Sequence, residues 1–152
     1  MESLPTPGLP RRLAAIVYDT LLILPIILLA LAIATGILVW ISGDPGDNDY
    51  SAVLPPLVVQ AIAASCFAGV YCYFWRLRGQ TLGMQAWRIR LRSADGGPVS
   101  LRQALFRCLC APLSIAPLGA GYLWCLVDSQ GRSWHDRLSG TELELVPKRD
   151  KS

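Results

Sequence analysis

The sequence predicts an all-α integral membrane protein with two clear transmembrane helices, a third, broken hydrophobic segment and a small cytoplasmic pair of β-strands. The 152-residue chain is 53% hydrophobic and only 16% charged, far from the balance of soluble domains. Its apolar residues fall into three blocks, and short stretches with period-two alternation follow the second and third. We expect one membrane domain over residues 11–146, between an N-terminal cytoplasmic tail of residues 1–10 and a C-terminal tail of residues 147–152.

The first two blocks predict the two transmembrane helices. Residues 13–41 contain one charge, Asp19, and residues 53–75 contain none. Roughly 20 apolar residues cross about 30 Å of hydrocarbon as a helix, so both blocks are long enough. A cleaved signal peptide is the alternative for the first block, because "AIA" at 32–34 resembles a cleavage site. The block is too long for the apolar region of a signal peptide, which favours a span.

Charge in the connecting segments predicts the orientation. The link between the two helices carries Asp44, Asp47 and Asp49 and no basic residue, whereas residues 76–103 carry six arginines against one acid. Because short loops rich in Lys and Arg stay in the cytoplasm, we place residues 76–103 and the N-terminus inside and the acidic link outside. The net charge of +3 then reflects membrane orientation, and no nucleic acid is expected as a partner.

The third block, residues 104–127, contains one charge, Arg107, and is interrupted by prolines and glycines. A single span would place the basic tail outside, against the positive-inside rule. The alternating stretches "RIRLR" at 88–92 and "TELELV" at 141–146 predict two strands whose arginines and glutamates pair across a sheet. Pairing requires both strands on one side, so we favour a bent or re-entrant third segment with the tail inside. A plain three-span topology is the alternative.

Asp19 is the first candidate functional residue. An ionised aspartate near the centre of a membrane helix costs about 2.5–3.5 kcal/mol, so it needs a partner or a water-filled cavity. Arg12 lies two turns earlier on the same face, roughly 10 Å away along the axis and too far for direct pairing. We therefore predict a partner among Arg107, His135 and Arg137. Asp19 is either a proton or cation acceptor or a buried polar group that fixes helix register.

The segment "SWHDRLSGT" at 133–141 supplies the second candidate. One histidine, His135, without a spaced second ligand does not predict a metal site, and the five cysteines form no zinc or haem pattern. Asp136 is predicted to cap a short helix with Ser133 or to form an ion pair. A shared network of Arg12, Asp19 and Asp136 requires the tail to dock on the first helix. No cofactor is expected, and no catalytic motif predicts an enzyme.

Three ordered motifs resemble the RDD family, bacterial membrane proteins named for one arginine and two aspartates. "RLAAIVYD" supplies Arg12, Ala15 and Asp19, and "RSWHDRLSGT" supplies Asp136 as the second aspartate. Between them, "GQTLGMQAWRIRL" resembles the middle motif, although the family commonly has a basic residue where this chain has Met84. The resemblance implies a multi-pass protein of the bacterial cytoplasmic membrane with a site formed by the named arginine and aspartates.

Two functions follow from these observations. The resemblance implies a transport role, since some members of the family are linked to sodium/proton antiport; Asp19 would then exchange a proton for a monovalent cation. Two or three spans are too few to enclose a path, so this function predicts a homo-oligomer or other membrane subunits. The alternative is a non-transporting scaffold or accessory subunit whose basic layer contacts anionic lipids of the bilayer or a partner protein.

Overall fold

The computed structural model describes residues 5–42 and 54–147. The predicted acidic link, with Asp44, Asp47 and Asp49, lies outside the described residues. In chain order the elements are α1 (Leu9–Ser42), α2 (Pro56–Arg78), α3 (Leu82–Ala86), β1 (Ile89–Ser93), α4 (Leu101–Ile115), α5 (Ala120–Leu123), a 3-10 turn (Trp124–Leu126), α6 (Trp134–Ser139) and β2 (Thr141–Leu145). The described chain is therefore mostly helical with one small sheet.

The two long helices, α1 and α2, have 34 and 23 residues and are apolar enough to cross a membrane. Their leucines are largely exposed, as at Leu21 (66%), Leu29 (64%) and Leu57 (76%). Side chains of this kind require an apolar surrounding such as lipid. The two predicted helices of spanning length are confirmed.

The chain divides into two compact units. Of the described residues, one unit comprises 20–42 and 54–70, which hold most of α1 and the first part of α2. The other, called here the core unit, comprises residues 5–19 and 71–147. The core unit contains every residue singled out above as a candidate for function.

The third hydrophobic segment is broken, as predicted. α4 and the helical stretch Ala120–Leu126 are bent by 110° relative to each other. Leu118 and Gly119 lie between them with φ of 54° and 81°, left-handed values that end a helix. The third hydrophobic segment therefore consists of two helical stretches joined by a sharp bend.

The small sheet is also confirmed. β1 and β2 pair antiparallel, with Arg90 opposite Glu144 and Arg92 opposite Glu142. Arg92 forms ion pairs with both glutamates, Nη1 to Glu144 Oε2 at 2.9 Å and Nε to Glu142 Oε1 at 3.3 Å. Because β1 precedes α4 and β2 follows α6, the pairing brings the two ends of the broken segment together.

The segment before α1 contacts this sheet. α1 begins at Leu9, two residues before the predicted domain boundary, and the backbone nitrogen of Leu145 donates to the carbonyl oxygen of Pro5 at 2.9 Å. Pro5 thus bonds to the end of β2, and α1 starts a few residues later, next to the polar elements of the core unit.

Candidate functional site

The core unit holds two separate carboxylate sites, and the first is built around Asp19. The Asp19 side chain lies on α1 and the residue is only 4% exposed. Its Oδ2 accepts a hydrogen bond from Thr81 Oγ1 at 2.6 Å, and its Oδ1 accepts one from the backbone nitrogen of Gly83 at 2.8 Å. The Tyr71 side chain is a third hydrogen-bond partner. Hydroxyls and a backbone amide, all uncharged, therefore hold this carboxylate.

The start of α3 is shaped to receive Asp19. Thr81 is the N-cap of α3, and its hydroxyl oxygen accepts from the backbone nitrogen of Met84 at 3.2 Å while its proton goes to Asp19. Gly83 lies so close to α1 that a Cβ atom there would be 2.4 Å from the carbonyl oxygen of Ala15. Only glycine permits this approach, and it brings the Gly83 N–H within hydrogen-bonding distance of the carboxylate.

The second site, called here the Asp136 centre, is completely buried. Asp136 is 0% exposed. Its Oδ2 accepts from Ser133 N at 2.8 Å, from Ser133 Oγ at 2.5 Å and from Arg12 Nη1 at 3.3 Å. Its Oδ1 accepts from Arg107 Nη1. Asp136 thus combines the two predicted roles, capping α6 and forming ion pairs.

The two arginines of this centre are themselves held in place. Arg12 Nη2 donates to the carbonyl oxygen of Gly131 at 2.6 Å. Arg107 Nη1 donates to Thr141 Oγ1 at 2.8 Å, and its guanidinium carbon lies 5.3 Å from the centre of the Trp75 ring, a cation–π distance. The centre therefore connects α1, α2, α4, α6 and β2. Removing one partner of such a buried ion pair is strongly destabilising, because the other charge is left uncompensated.

His135 lies beside these charges in neutral form. The residue is 3% exposed, with Nε2 3.0 Å from Ser133 Oγ and Nδ1 3.0 Å from Ser114 Oγ. Burial, together with the positive charge of Arg107, lowers the pKa of His135 to about 3. Burial raises the pKa of the Asp136 carboxyl, but the charge of Arg107 and the other partners outweigh it, so this pKa lies below its ordinary value. The centre holds an anion between cations.

The residues predicted as partners of Asp19 contact other groups. Arg107 and His135 belong to the Asp136 centre, and Arg137 Nη2 lies 3.2 Å from Asp128 Oδ1. The hydrogen bonds described for Asp19 come from hydroxyls and a backbone amide instead.

The hypothetical network of Arg12, Asp19 and Asp136 is divided between the two sites. Arg12 reaches Asp136, which requires the tail to dock on α1 as suggested, while Asp19 bonds to the start of α3. Sequence reasoning did not single out Thr81 or Gly83. The sequence "TLG" directly before a short helical stretch could have indicated Thr81. A threonine at an N-cap accepts a backbone N–H and still has a hydroxyl proton, which it can donate to a buried carboxylate.

Within residues 5–42 and 54–147, no group of three or more His, Cys, Asp or Glu side chains is arranged to hold a metal ion. All five cysteines are free thiols. Within each site, the polar groups described above form hydrogen bonds or ion pairs with their own neighbours.

Apolar helices of spanning length joined to a buried polar core indicate a membrane protein. The RDD family model matches residues 6–140, so the chain belongs to the RDD family, and the predicted family is confirmed. The match includes Arg12, Asp19 and Asp136. Comparison with curated proteins and with solved structures gives no match.

The state of His135 predicts a pH dependence. Between the folded pKa of about 3 and the ordinary value of about 6.5, the folded chain binds fewer protons than the unfolded chain, so the free energy of unfolding falls as pH is lowered. At about pH 5 the expected loss is about 2 kcal/mol. Since His135 is the single histidine of the sequence, His135→Gln should remove this slope between about pH 6.5 and 5. Thermal unfolding in detergent, followed by tryptophan fluorescence across this range, measures it; an unchanged slope in the variant would contradict the assignment.

Proposed function

We propose that this RDD-family chain exchanges protons for a monovalent cation across a bacterial cytoplasmic membrane, with Asp19 taking up and releasing the proton. The observation that supports this is the contrast between Asp19 and Asp136, the carboxylates of the two sites described above. Asp19 accepts from Thr81 and Gly83, whereas Asp136 is bound by two guanidinium groups. A carboxylate among neutral donors can change its charge without leaving a buried cation unpaired.

The partners of Asp19 are compatible with both of its protonation states. A threonine hydroxyl donates one proton and accepts through two lone pairs, so the Thr81 bond can reverse its direction when Asp19 is protonated. The Gly83 N–H can continue to donate to the other oxygen. Arginine has donors only, so a protonated Asp136 would place its O–H against guanidinium N–H groups. Exchange therefore belongs to Asp19, and Asp136 serves as a fixed anion.

The proposed topology places the N-terminus, the sheet and the C-terminal tail in the cytoplasm. The six arginines of residues 76–103 favour this side. The pairing of β1 with β2 supports a third segment that enters the membrane and returns. We also propose that copies of the chain, or other membrane subunits, associate to enclose the path. Small residues of α2 such as Ala63, Ala64, Ala68 and Gly69 would allow close helix contact.

Proton flux in proteoliposomes tests the function. We expect the wild-type chain to move protons in response to a gradient of sodium, potassium or lithium, and Asp19→Asn to abolish this flux, because an amide cannot carry the proton. The amide oxygen of asparagine can still accept from the Gly83 N–H, and its NH₂ group can donate to the Thr81 hydroxyl once that hydroxyl turns to accept, so the variant should fold. Asp95→Asn, in an exposed turn, is the matched control and should keep the flux. If the wild-type chain moves no protons above empty liposomes, exchange by this chain alone is contradicted.

One observation favours the second candidate function, a scaffold or accessory subunit. Asp19 is 4% exposed and is held through both oxygens, as expected for a group that only docks α1 on α3. The two functions differ in whether the protonation of Asp19 changes when a cation is added. Infrared difference spectra of the wild-type chain and Asp19→Asn, recorded on adding sodium, would show a carboxyl band that changes in an exchanger and stays constant in a scaffold.

A further inference from the structure

A cleft of about 380 Å³ lies in the core unit where the end of α2 meets β1. Sites for small molecules commonly have volumes of about 300–1,000 Å³. Its charged lining residues are Arg76, Arg78, Arg90, Arg92 and Glu144. Four arginines thus face one glutamate, and neither carboxylate site described above includes any of them.

The local sequence explains why these arginines meet. Arg76 and Arg78 lie in the last turn of α2, and Gly79 follows with a left-handed φ of 65°. The carbonyl oxygen of Gly79 accepts from the backbone nitrogen of Leu91 at 2.7 Å, and a Cβ atom on Gly79 would be 2.6 Å from the Leu91 oxygen. This close approach holds the end of the helix against the strand that carries Arg90 and Arg92.

Three of the four arginines have unused donors. Arg92 is paired with both glutamates of β2. Arg76, Arg78 and Arg90 are exposed, and their side chains form no hydrogen bond or ion pair with another residue in the described parts of the chain. Like charges gathered in a concave site create a positive potential that attracts anions.

We propose that this cleft binds a phosphate-bearing anion, with Arg76, Arg78 and Arg90 as its ligands and Arg92 fixed beside them by its glutamates. Guanidinium forks match phosphate oxygens in pairs. Because α2 is long enough to span a membrane, its last turn can lie at the level of lipid headgroups. A lipid headgroup and a soluble phosphate compound share the required chemistry. The proposal is independent of proton exchange.

Binding to the purified full-length chain in a neutral detergent tests this proposal. The probes are short-chain phosphatidylglycerol, short-chain phosphatidylcholine and inorganic phosphate, with binding followed by native mass spectrometry and by the shift of the unfolding midpoint. The test variant is Arg76→Gln/Arg90→Gln. The matched control is Arg88→Gln/Arg102→Gln, which removes the same charge from two exposed arginines outside the cleft lining.

We expect phosphatidylglycerol or inorganic phosphate to bind more tightly than phosphatidylcholine, and the cleft variant to lose about tenfold or more in affinity. The control variant should bind like wild type. If phosphatidylglycerol binds more strongly than inorganic phosphate, the ligand of the cleft is a lipid headgroup. If the two bind equally, the ligand is a soluble phosphate compound. The proposal is overturned if neither anion binds better than phosphatidylcholine, or if both double variants lose affinity equally. Arg90→Lys, which keeps the charge but not the fork, should weaken binding less than Arg90→Gln.

Discussion

Asp136→Asn is expected to lower the free energy of unfolding by about 3–5 kcal/mol, because removal of one partner from a buried ion pair leaves the other charges uncompensated. Arg12 and Arg107 are 4% and 5% exposed, so water cannot replace the lost carboxylate. The asparagine side chain would also turn one acceptor oxygen into an NH₂ donor that faces guanidinium N–H groups. The unfolding midpoint in detergent, followed by tryptophan fluorescence, measures the effect.

Two further variants separate this explanation from a general sensitivity to charge loss. Asp95→Asn removes one exposed carboxylate, which accepts from the backbone nitrogen of Gly97 at 2.9 Å, and should leave the midpoint near wild type. Arg107→Met/Asp136→Asn removes both members of the closest pair and should lose less than the sum of the two single variants. Additive losses would contradict the proposed ion-pair coupling.

The elements that the sequence predicts well depend on local patterns. α1 and α2 follow from uninterrupted apolar blocks, and the sheet follows from alternating residues whose arginines on one strand and glutamates on the other oppose each other. The break near Gly119 follows from the interruption of the third block by proline and glycine. Each helix, strand and break follows from a pattern within one continuous stretch of the sequence, and the complementary charges of the two strands indicate that they pair.

The pairing of the polar residues depends on contacts between distant parts of the chain. Arg12 and Asp136 are 124 residues apart in sequence, and neither has a local feature that specifies the other. For Asp19, the expectation of a charged partner was too narrow, because neutral donors can also satisfy a buried carboxylate. Thr81 is the N-cap of α3, and a cap pattern of this kind does not show where the hydroxyl proton goes.

The close approach of α1 and α3 gives the second large effect: Gly83→Ala is expected to destabilise the folded chain by about 3 kcal/mol or more. The new Cβ atom would lie 2.4 Å from the Ala15 carbonyl oxygen and 2.8 Å from Asp19 Oδ1. The two helices must then separate, which adds the loss of the Gly83 N–H bond to a charged group. The unfolding midpoint and the yield of monodisperse protein measure this loss.

Two controls show whether steric overlap with the backbone is the cause. Gly36→Ala, in the same helix as Asp19, meets nothing within 4 Å and should leave the midpoint unchanged or slightly higher, since alanine favours helices over glycine. Ala15→Gly/Gly83→Ala should recover no stability relative to Gly83→Ala, because the overlapping atom is the backbone oxygen of residue 15 and trimming its side chain does not remove it. Recovery in the double variant would instead locate the overlap at the side chain. A Gly83→Ala chain as stable as Gly36→Ala would mean that α3 does not lie against α1 as described, and the neutral hydrogen bonds assigned to Asp19 would have to be replaced by others.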